Sequence, residues 1–468
     1  MVQLKSLALL AAVITAVTAQ NCQRPNPQYP LLTHPDWTGA VLVNNVKTPR
    51  GLAVDSRNNL LVVESKVGVK AFTINANGCI TKTKTVLTEP TLNHAVTVSV
   101  DGKYLFVSSN KRAWRYDYDA TTQTASNRRV IITFESDIGH ITRTMLNPAR
   151  YPHLLIVGVG SDGDLDYPSY YPTSGRSDVR IFDLRRIPSG GYQYLQGRLF
   201  GYGLRNEVGI DSDAKGQIWS VENSSDEIYR KDGDEIFDVS ETNPAEKLHK
   251  LGNPTSPKAG WYGYPYCFTV YDPTPFPHDR RYRPGDQFVQ EPGSTVAGVR
   301  TTDRLCRNVT QPAVIFPAHN APLDLKFSPV DTNAYVALHG SNPLHREPGS
   351  GYKVVYVPGH YRRNSDSWIP DISLPSTKQY TDLLFNSAET NCHGFVKPGC
   401  FRPVALAWDR LHPKRLYVTS DYTGEIFVVT YRKSVGTCAG RKAVCGRGRT
   451  CCPGLECVQE GYGSSKCL

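Results

Sequence analysis

Six segments of the sequence repeat one pattern, and this repeat limits the fold more than any other feature. Each segment has a polar lead, a short apolar strand, a turn, and a second apolar strand that ends in small or polar residues. The segments begin at Arg50, His94, His140, Arg205, Ala321 and Arg402. The first two spacings, 44 and 46 residues, match the ~40–50 residues of one four-stranded propeller blade. The repeat therefore predicts an all-β fold, a six-bladed β-propeller over residues 20–432.

The later repeats are further apart because they carry insertions rich in Pro, Gly and Tyr. Examples are Tyr167 to Gly175 and Gly260 to Arg300. Insertions between blade strands become loops at one face of a propeller. The alternative is an array of β-sandwiches in which the repeats are coincidental.

The first 19 residues have the pattern of a secretory signal peptide. Lys5 provides the positive charge, Leu7 to Val17 the apolar core, and Val17-Thr18-Ala19 the small residues of a cleavage site. No other segment approaches the ~20 apolar residues of a transmembrane helix. We therefore expect a secreted, extracellular protein with no membrane span.

The twelve cysteines fit an oxidising compartment, and six of them crowd residues 438–468. A segment this short cannot build a hydrophobic core, so we expect a small disulfide-rich module there, after a short linker at residues 433–437. For the other six cysteines we expect the pairs Cys22–Cys79, Cys267–Cys306 and Cys392–Cys400. Asn223 and Asn308 begin N-glycosylation sequons.

The net charge of +10 is spread along the chain without long basic runs. This pattern does not indicate a nucleic-acid-binding protein, and it supports at most a modest attraction for anions.

The polar leads of the six repeats are expected to meet in space. In a propeller, the loop that leads into the innermost strand of each blade lies at one mouth of the central channel. The leads are Arg50, Asn93-His94, His140, Arg205-Asn206, His319 and Arg402. Together they predict a cationic, histidine-bearing pocket for a small polyanion. The alternative is that each is an ordinary solvated turn residue, and we interpret His339 as a hydrogen-bonded structural histidine.

Several chemistries fit such a pocket poorly. A propeller lactonase would direct acidic and amide ligands at calcium, whereas these leads are mostly cationic. No Ser-His-Asp or nucleophile-elbow motif stands out. A quinone cofactor with carboxylates fits better, held by arginines and a lysine beside a histidine base. A buried histidine near cations stays neutral and can accept a proton.

A set of ordered motifs then indicates a family. They are "PRGLAVD", "GHITRT", "GLRNEVGI", "GWYGYPYC", "HNAPLDLKF", "ALHGS", "GYKVV" and "RPVALAWD", from Pro49 to Asp409. With them the chain resembles soluble quinoprotein sugar dehydrogenases that use pyrroloquinoline quinone (PQQ). It looks closest to the fungal PQQ-dependent pyranose dehydrogenases and the bacterial L-sorbosone dehydrogenases.

The resemblance implies a role for each matching residue. His140 matches the catalytic base, and Arg205 and Asn206 match a pair that contacts the quinone. Lys353 and Arg402 match residues that bind cofactor carboxylates. The pocket would be completed by Arg50, Asn93 and His94. A calcium ion bound chiefly through main-chain oxygens is implied for the segment around Glu222 and Asn223.

Two features depart from the family pattern. The family has His-Gly-Ser-Trp-Asn where this chain reads "HGSNPLHREP", so a tryptophan of the substrate cleft is absent. The sequon at Asn223 lies in the implied calcium segment, and we expect it to carry no glycan because a glycan there would obstruct the pocket.

The C-terminal cysteines resemble those of a knottin, or inhibitor cystine knot. The resemblance implies the pairs Cys438–Cys452, Cys445–Cys457 and Cys451–Cys467. The segment holds one aromatic residue, Tyr462, and five basic ones. Binding to a polysaccharide, binding to an anionic surface and a purely structural role all remain open.

The resemblance as a whole implies a secreted enzyme that depends on PQQ and calcium. It would oxidise a hydroxyl of a pyranose or keto-aldose and pass electrons to an external acceptor, such as a secreted redox enzyme or a cytochrome. The alternative from a different class is a non-catalytic propeller that binds carbohydrate or protein through its loops.

Overall fold

The computed structural model describes residues 22–135, 139–278, 281–341, 350–388, 392 and 399–432, and three short strands within residues 444–467. The regular secondary structure of this part of the chain is almost entirely β-strand. Six antiparallel sheets form six blades, and their innermost strands contact one another in a closed ring. The predicted six-bladed propeller is therefore confirmed.

Each blade has four main strands, which follow one another from the channel outward. Blade 1 comprises Pro49–Val54, Asn59–Glu64, Gly68–Ile74 and Ile80–Thr88. Blade 2 comprises Val96–Val98, Tyr104–Ser108, Arg112–Asp119 and Thr124–Thr133. Blade 3 comprises Met145–Leu146, Leu154–Val159, Asp178–Asp183 and Arg198–Tyr202.

The other three blades follow the same order. Blade 4 comprises Glu207–Ser212, Ile218–Glu222, Glu246–Gly252 and Val314–Phe316. Blade 5 comprises Pro322–Phe327, Ala334–Leu338, Lys353–Val357 and Thr381–Asn386. Blade 6 comprises Pro403–Trp408, Arg415–Ser420, Glu425–Tyr431 and Trp37–Val43.

The N-terminal part of the described chain closes the ring. Leu31–Thr33 adds an outer strand to blade 5, and Trp37–Val43 completes blade 6 beside Glu425–Tyr431. Closure therefore joins the two ends of the propeller by backbone hydrogen bonds.

Short elements decorate the blades. Tyr192–Gln193 joins the edge of blade 2, and Gly260–Trp261 joins the edge of blade 3. Four hairpins pair Tyr229–Asp232 with Glu235–Asp238, Phe268–Thr269 with Gln287–Phe288, Thr295–Val296 with Val299–Arg300, and Gly359–Tyr361 with Trp368–Pro370. The 3-10 helices are Tyr167–Tyr170, Pro172–Ser174, Leu184–Arg186, Tyr194–Gln196 and Leu305–Asn308. Among the described residues, no helix has the length and apolar character of a membrane span.

The hydrophobic core lies between the blades rather than in one centre. Six apolar clusters separate the six pairs of neighbouring blades. Second strands such as Asn59–Glu64 and Leu154–Val159 are buried along their whole length, because both of their faces contact a neighbouring blade. Each fully buried Val, Leu or Ile contributes about 1.5–3 kcal/mol. These clusters hold the blades rigid, so the loops at the channel mouth have fixed positions.

The three expected disulfides of the propeller region are confirmed: Cys22–Cys79, Cys267–Cys306 and Cys392–Cys400. The signal peptide and the linker lie outside the described residues, as do the pairings of the tail cysteines. Within the tail, Val444–Cys445, Cys457–Glu460 and Ser464–Cys467 form a three-stranded antiparallel sheet.

Candidate functional site

The strand leads meet at one end of the central channel, which we call the mouth. Hydrogen bonds join the leads of each pair of neighbouring blades there. The donor and acceptor pairs are Gly51 N to His94 O (3.1 Å), Asn93 Nδ2 to Ile141 O (2.8 Å), Ser161 N to Arg205 O (2.7 Å), Asn223 Nδ2 to Pro322 O (2.6 Å), Arg402 Nη2 to Gly340 O (3.0 Å) and Thr419 Oγ1 to Arg50 O (2.9 Å). This ring of contacts shows that the leads converge as the repeat predicts.

His140 is held as a neutral base at the mouth. Its Nδ1 lies 3.0 Å from both the carbonyl oxygen and the hydroxyl of Ser161. A carbonyl only accepts, so Nδ1 carries the proton and Nε2 keeps its lone pair. Burial, and then the positive charge of Arg205, lower the pKa of His140 to about 3. His140 is therefore a neutral imidazole throughout the neutral pH range.

Arg205 is fixed beside His140 by oxygen atoms of blades 3 and 4. The guanidinium forms an ion pair with Asp164 at 2.8 Å and lies 3.7 Å from Asp226. It also donates to the carbonyls of Asn223 and Ser224. The side chain is only 5% exposed, so its guanidinium has one well-defined position.

A glycine lets Asn206 approach the base. A Cβ atom on Gly160 would lie 2.4 Å from Asn206 Oδ1 and 2.7 Å from the Cβ of His140. Such distances are far below van der Waals contact, so the position requires glycine.

The opposite part of the mouth carries a chain of linked charges. Arg402 donates to His339 Nδ1 at 3.0 Å, and His339 Nε2 in turn bonds Asp421 at 3.0 Å. Arg50 forms an ion pair with the same carboxylate at 2.6 Å. Burial alone would raise the pKa of Asp421, but His339 and Arg50 outweigh it and hold this pKa far below its usual range. His339 is thus hydrogen-bonded at the mouth, as we interpret it from the sequence.

Lys353 starts the third strand of blade 5 at the same end of the channel. Its Nζ lies 3.2 Å from Asp382. The preceding residue, Tyr352, is fully buried with a φ of 55°, and its ring lies 5.6 Å from the guanidinium of Arg402. A buried aromatic residue in a strained backbone conformation thus directly precedes Lys353 and lies against Arg402.

Several buried polar atoms at the mouth have no hydrogen-bond partner within the described structure. They are Asn93 Oδ1, His94 Nδ1, Asn206 Oδ1 and Asn320 Nδ2. Burial, and then Arg50, lower the pKa of His94 well below its usual value, so His94 is neutral and offers one donor and one acceptor. Unpaired buried groups are costly, and a ligand with carbonyl, N–H and carboxylate groups would satisfy them. The residues present therefore fit a planar polyanionic cofactor.

The structure gives different environments to Glu222 and Asn223, the two residues of the implied calcium segment. The Glu222 carboxylate is buried inside blade 4, where it accepts from Lys247 (2.9 Å), His249 (2.8 Å) and the Arg205 N–H (2.9 Å). Burial would raise the pKa of Glu222, but Lys247, His249 and the Arg205 N–H together outweigh it and lower this pKa. The side chain of Glu222 therefore supports the loop from below. The oxygens of this segment that point toward Arg205 are the main-chain carbonyls of residues 223 and 224.

The two sequons differ in accessibility. The Nδ2 atom of Asn223, where a glycan would attach, donates to Pro322 O at 2.6 Å, and the side chain is buried. Asn308 is exposed at the end of a short helix. The folded protein therefore offers Asn308, and not Asn223, for modification.

Sequence reasoning missed Ser161, Asp421 and Tyr352. The first two follow the second strands of blades 3 and 6, which end at the mouth as surely as the first strands begin there. That symmetry was available in the repeat itself. No sequence signal marked Tyr352.

Cavities away from the mouth do not share its residues. One of about 400 Å³ lies on blade 3 and is lined by His153, Asp183, Arg185 and Arg198. These positions flank strand ends at the opposite face, so we do not connect this cavity with the mouth.

The fold and the mouth together define a six-bladed propeller with a base, cations and unpaired polar atoms at one channel entrance. Comparison with known proteins identifies the family. The TrAA12-like family matches residues 31–432, and the chain belongs to it. The resemblance drawn from the motifs is therefore confirmed.

Three relatives illustrate the match. The chain is 42% identical over 410 residues to the pyrroloquinoline quinone-dependent pyranose dehydrogenase of Coprinopsis cinerea, covering 86% of this chain and 55% of that protein. It thus spans about half the length of that relative. The solved holo form of the pyranose dehydrogenase PQQ domain from Coprinopsis cinerea superposes with a TM-score of 0.83, 41% identity, and coverage of 87% of this chain and 98% of that one. A calcium structure of the Trichoderma reesei family AA12 enzyme gives 0.79 and 33%, with coverage of 87% and 99%.

Proposed function

We propose that this protein is a sugar dehydrogenase that depends on PQQ and calcium and oxidises a hydroxyl of a pyranose or keto-aldose. The names of its relatives support the class of reaction. The observation in this chain that carries the proposal is the fixed tautomer of His140, because it leaves a neutral acceptor nitrogen among cations at the mouth.

The cations would hold the cofactor by its carboxylates. Arg50, Lys353 and Arg402 lie together on one part of the mouth, and each would exchange part of its present bonding for a charge-assisted bond to the ligand. Asn93, His94 and Asn206 would provide hydrogen bonds from the atoms that now lack partners. These contacts would hold the ligand at the channel entrance.

Calcium would be held on the opposite part of the mouth. The carbonyls of Asn223 and Ser224 are oxygen ligands of the type that calcium prefers. Asp164 and Asp226 add negative charge nearby. When bound, PQQ supplies a two-electron acceptor and calcium a Lewis acid that makes its carbonyl more electrophilic.

The protein's own chemical contribution is proton transfer. His140 Nε2 accepts the proton of the hydroxyl whose carbon is oxidised. The Ser161 carbonyl keeps Nδ1 protonated and the ring oriented during this transfer. Arg205 keeps the free base neutral, and Asp226 partly offsets that effect when the imidazolium forms.

The proposal extends to location and partners. The signal peptide and the propeller disulfides support secretion. Electrons would leave to an external acceptor. The C-terminal module would bind a polysaccharide or an anionic surface through its basic residues, and nucleic acid is not an expected partner.

Calorimetric titration of PQQ into the purified full-length protein with calcium tests the proposal. We expect tight binding that Lys353→Met weakens by at least tenfold while thermal unfolding changes little, since Lys353 lies at a partly exposed strand end. Arg410→Ala, on the exposed surface of blade 6, is the matched control. A sugar screen with a dye acceptor follows. If the folded protein binds no PQQ, the dehydrogenase proposal is wrong, and the propeller is instead a non-catalytic binding scaffold.

A further inference from the structure

Aromatic side chains gather beside the mouth, outside the cofactor pocket. They come from the loop between the second and third strands of blade 3 and from the blade 4 insertion. The ring centroids of Tyr167 and Tyr266 lie 5.4 Å apart, those of Tyr170 and Tyr266 5.2 Å, and those of Tyr170 and Trp261 5.5 Å. The propeller core does not require this arrangement, because it lies outside the clusters between blades.

A small open cavity, which we call the tyrosine cleft, lies against this group. Its lining includes Tyr167, Tyr229, Tyr266, Gln290 and Glu291, and its volume is about 70 Å³. The hydroxyl of Tyr229 donates to the Glu291 carboxylate, and Gln290 Oε1 accepts from the Tyr229 N–H at 3.3 Å. The partly exposed rings of Tyr167 and Tyr229 thus stand beside a carboxylate and an amide that are already oriented, with the buried ring of Tyr266 beneath them.

The charge of the tyrosine cleft differs from that of the mouth. Among the described residues, its lining contains no Lys, Arg or His. The hydrogen bond to Glu291, together with burial, raises the pKa of Tyr229 to about 12. Burial raises the pKa of Tyr266 to about 12. Both phenols are therefore neutral, and the cleft suits an uncharged ligand with many hydroxyl groups rather than an anion.

Two hydrogen bonds of Tyr264, two residues before Tyr266, connect the insertion that lines the tyrosine cleft with the loop that carries Asp164. Tyr264 donates to Asp164 O at 3.0 Å and accepts from Asp166 N at 2.7 Å. Asp164 is the ion-pair partner of Arg205, and Tyr167 follows Asp166 directly. Tyr229 lies three residues after Asp226, the second carboxylate near Arg205. The cleft therefore begins where the acidic part of the mouth ends.

We propose that the tyrosine cleft is a second carbohydrate subsite, which takes a sugar ring linked to the one that is oxidised. The substrate class is then an oligosaccharide or glycan end with at least two rings. The inference rests on the proposed function. Tyrosine faces contact the C–H face of a ring, while Glu291 and Gln290 accept its hydroxyl hydrogens. The cleft volume of about 70 Å³ corresponds to about two water molecules, since one water occupies about 30 Å³. The cleft would therefore receive one edge of the sugar ring and leave the rest of the ring in solvent.

Ligand-observed saturation-transfer NMR on the full-length protein tests the subsite without any turnover. The probes are the monosaccharides glucose, mannose and xylose and the oligosaccharides cellobiose, cellotriose, mannobiose and xylobiose. We expect at least one disaccharide to bind more tightly than the corresponding monosaccharide. Tyr167→Ala and Glu291→Gln should weaken that disaccharide about two- to tenfold, the range for one aromatic contact. Monosaccharide binding and the thermal midpoint should not change. Tyr171→Ala, an exposed tyrosine of the same loop outside the cleft lining, is the control and should have no effect.

Two outcomes separate the subsite from the dehydrogenase proposal. Disaccharide binding that depends on Tyr167 in a protein that binds no PQQ would uphold the subsite and remove the dehydrogenase. PQQ-dependent oxidation of sugars with no disaccharide advantage, or with equal losses for mono- and disaccharide in Tyr167→Ala, would overturn the subsite alone.

Discussion

The two halves of the mouth carry opposite charge, although each is organised around a buried arginine. The cationic half, from blades 5, 6 and 1, comprises Arg50, Lys353 and Arg402, with Asp421 and Asp382 as counter-ions. The acidic half, from blades 3 and 4, holds Arg205, Asp164 and Asp226 together with carbonyls of the next loop.

This difference teaches what the mouth can select. An anion alone would favour the cationic half, and a metal ion alone would favour the acidic half. A ligand matches both halves when its carboxylates face the cationic half and a metal ion bound to it faces the acidic half. The distribution of charge between the two halves of the mouth therefore indicates which ligand fits, whereas the net charge of the mouth does not.

The largest expected effect comes from removing Arg402 from the cationic half. Arg402→Ala leaves the buried acceptors His339 Nδ1 and Gly340 O without their donor and removes a cation from the proposed cofactor contacts. Truncating one partner of a buried, hydrogen-bonded charge pair costs about 2–5 kcal/mol. We expect PQQ affinity to fall at least thirtyfold by calorimetry, with a lower thermal midpoint. Arg402→Lys should recover stability better than affinity. Full affinity in Arg402→Ala would show that the cationic half does not hold the cofactor.

Next in size is the base itself. His140→Gln should lower kcat by about 10²–10⁴-fold while PQQ affinity changes little, because His140 contributes chemistry rather than carboxylate binding. Dye-linked kinetics and calorimetry on the same preparation measure the two effects. His153→Gln, on the opposite face, controls for loss of a histidine. Equal losses of PQQ affinity and kcat would show that His140 binds the cofactor rather than acting as the base.

A substitution in the acidic half should change the metal requirement instead. Asp164→Asn removes one carboxylate beside Arg205, so we expect the calcium concentration for half-maximal reconstitution to rise severalfold at saturating PQQ. Asp119→Asn, at the exposed end of the third strand of blade 2, is the matched control. Lys353→Met should leave the calcium requirement unchanged. If Asp164→Asn and Lys353→Met raised the calcium concentration for half-maximal reconstitution equally, the two halves would not differ in function.

The smallest expected effect concerns pH. The folded pKa of His140 is about 3, below the value of about 6.5 for an unperturbed histidine. Protonation therefore favours the unfolded chain between these two values, and His140 contributes a loss of stability as pH falls through that window. Because Arg205 lowers this pKa, Arg205→Ala should move the His140 titration upward, as followed by histidine NMR signals absent in His140→Gln. A downward movement would contradict the assigned cause.

Much of the mouth follows from the repeat, because a propeller fixes where strand leads meet. His140, Arg205 and Arg402 could be placed from spacing alone. The use of each side chain could not, since it depends on neighbours distant in sequence. Glu222 is the clearest case: its carboxylate is drawn into blade 4 by Lys247 and His249 from the adjacent strand. The tyrosine cleft likewise needs the path of an insertion that returns beside blade 3, and the repeat says nothing about insertions.

The closure of blade 6 has a consequence for how the molecule meets its surroundings. Glu425–Tyr431 runs away from the mouth, and the backbone of Arg432 bonds Asp36 beside Trp37, at the far face. Residue 432, the last described residue of the propeller, thus lies at the face opposite the mouth. A support that holds the chain at residue 432 would therefore leave the mouth, on the opposite face, open to solvent.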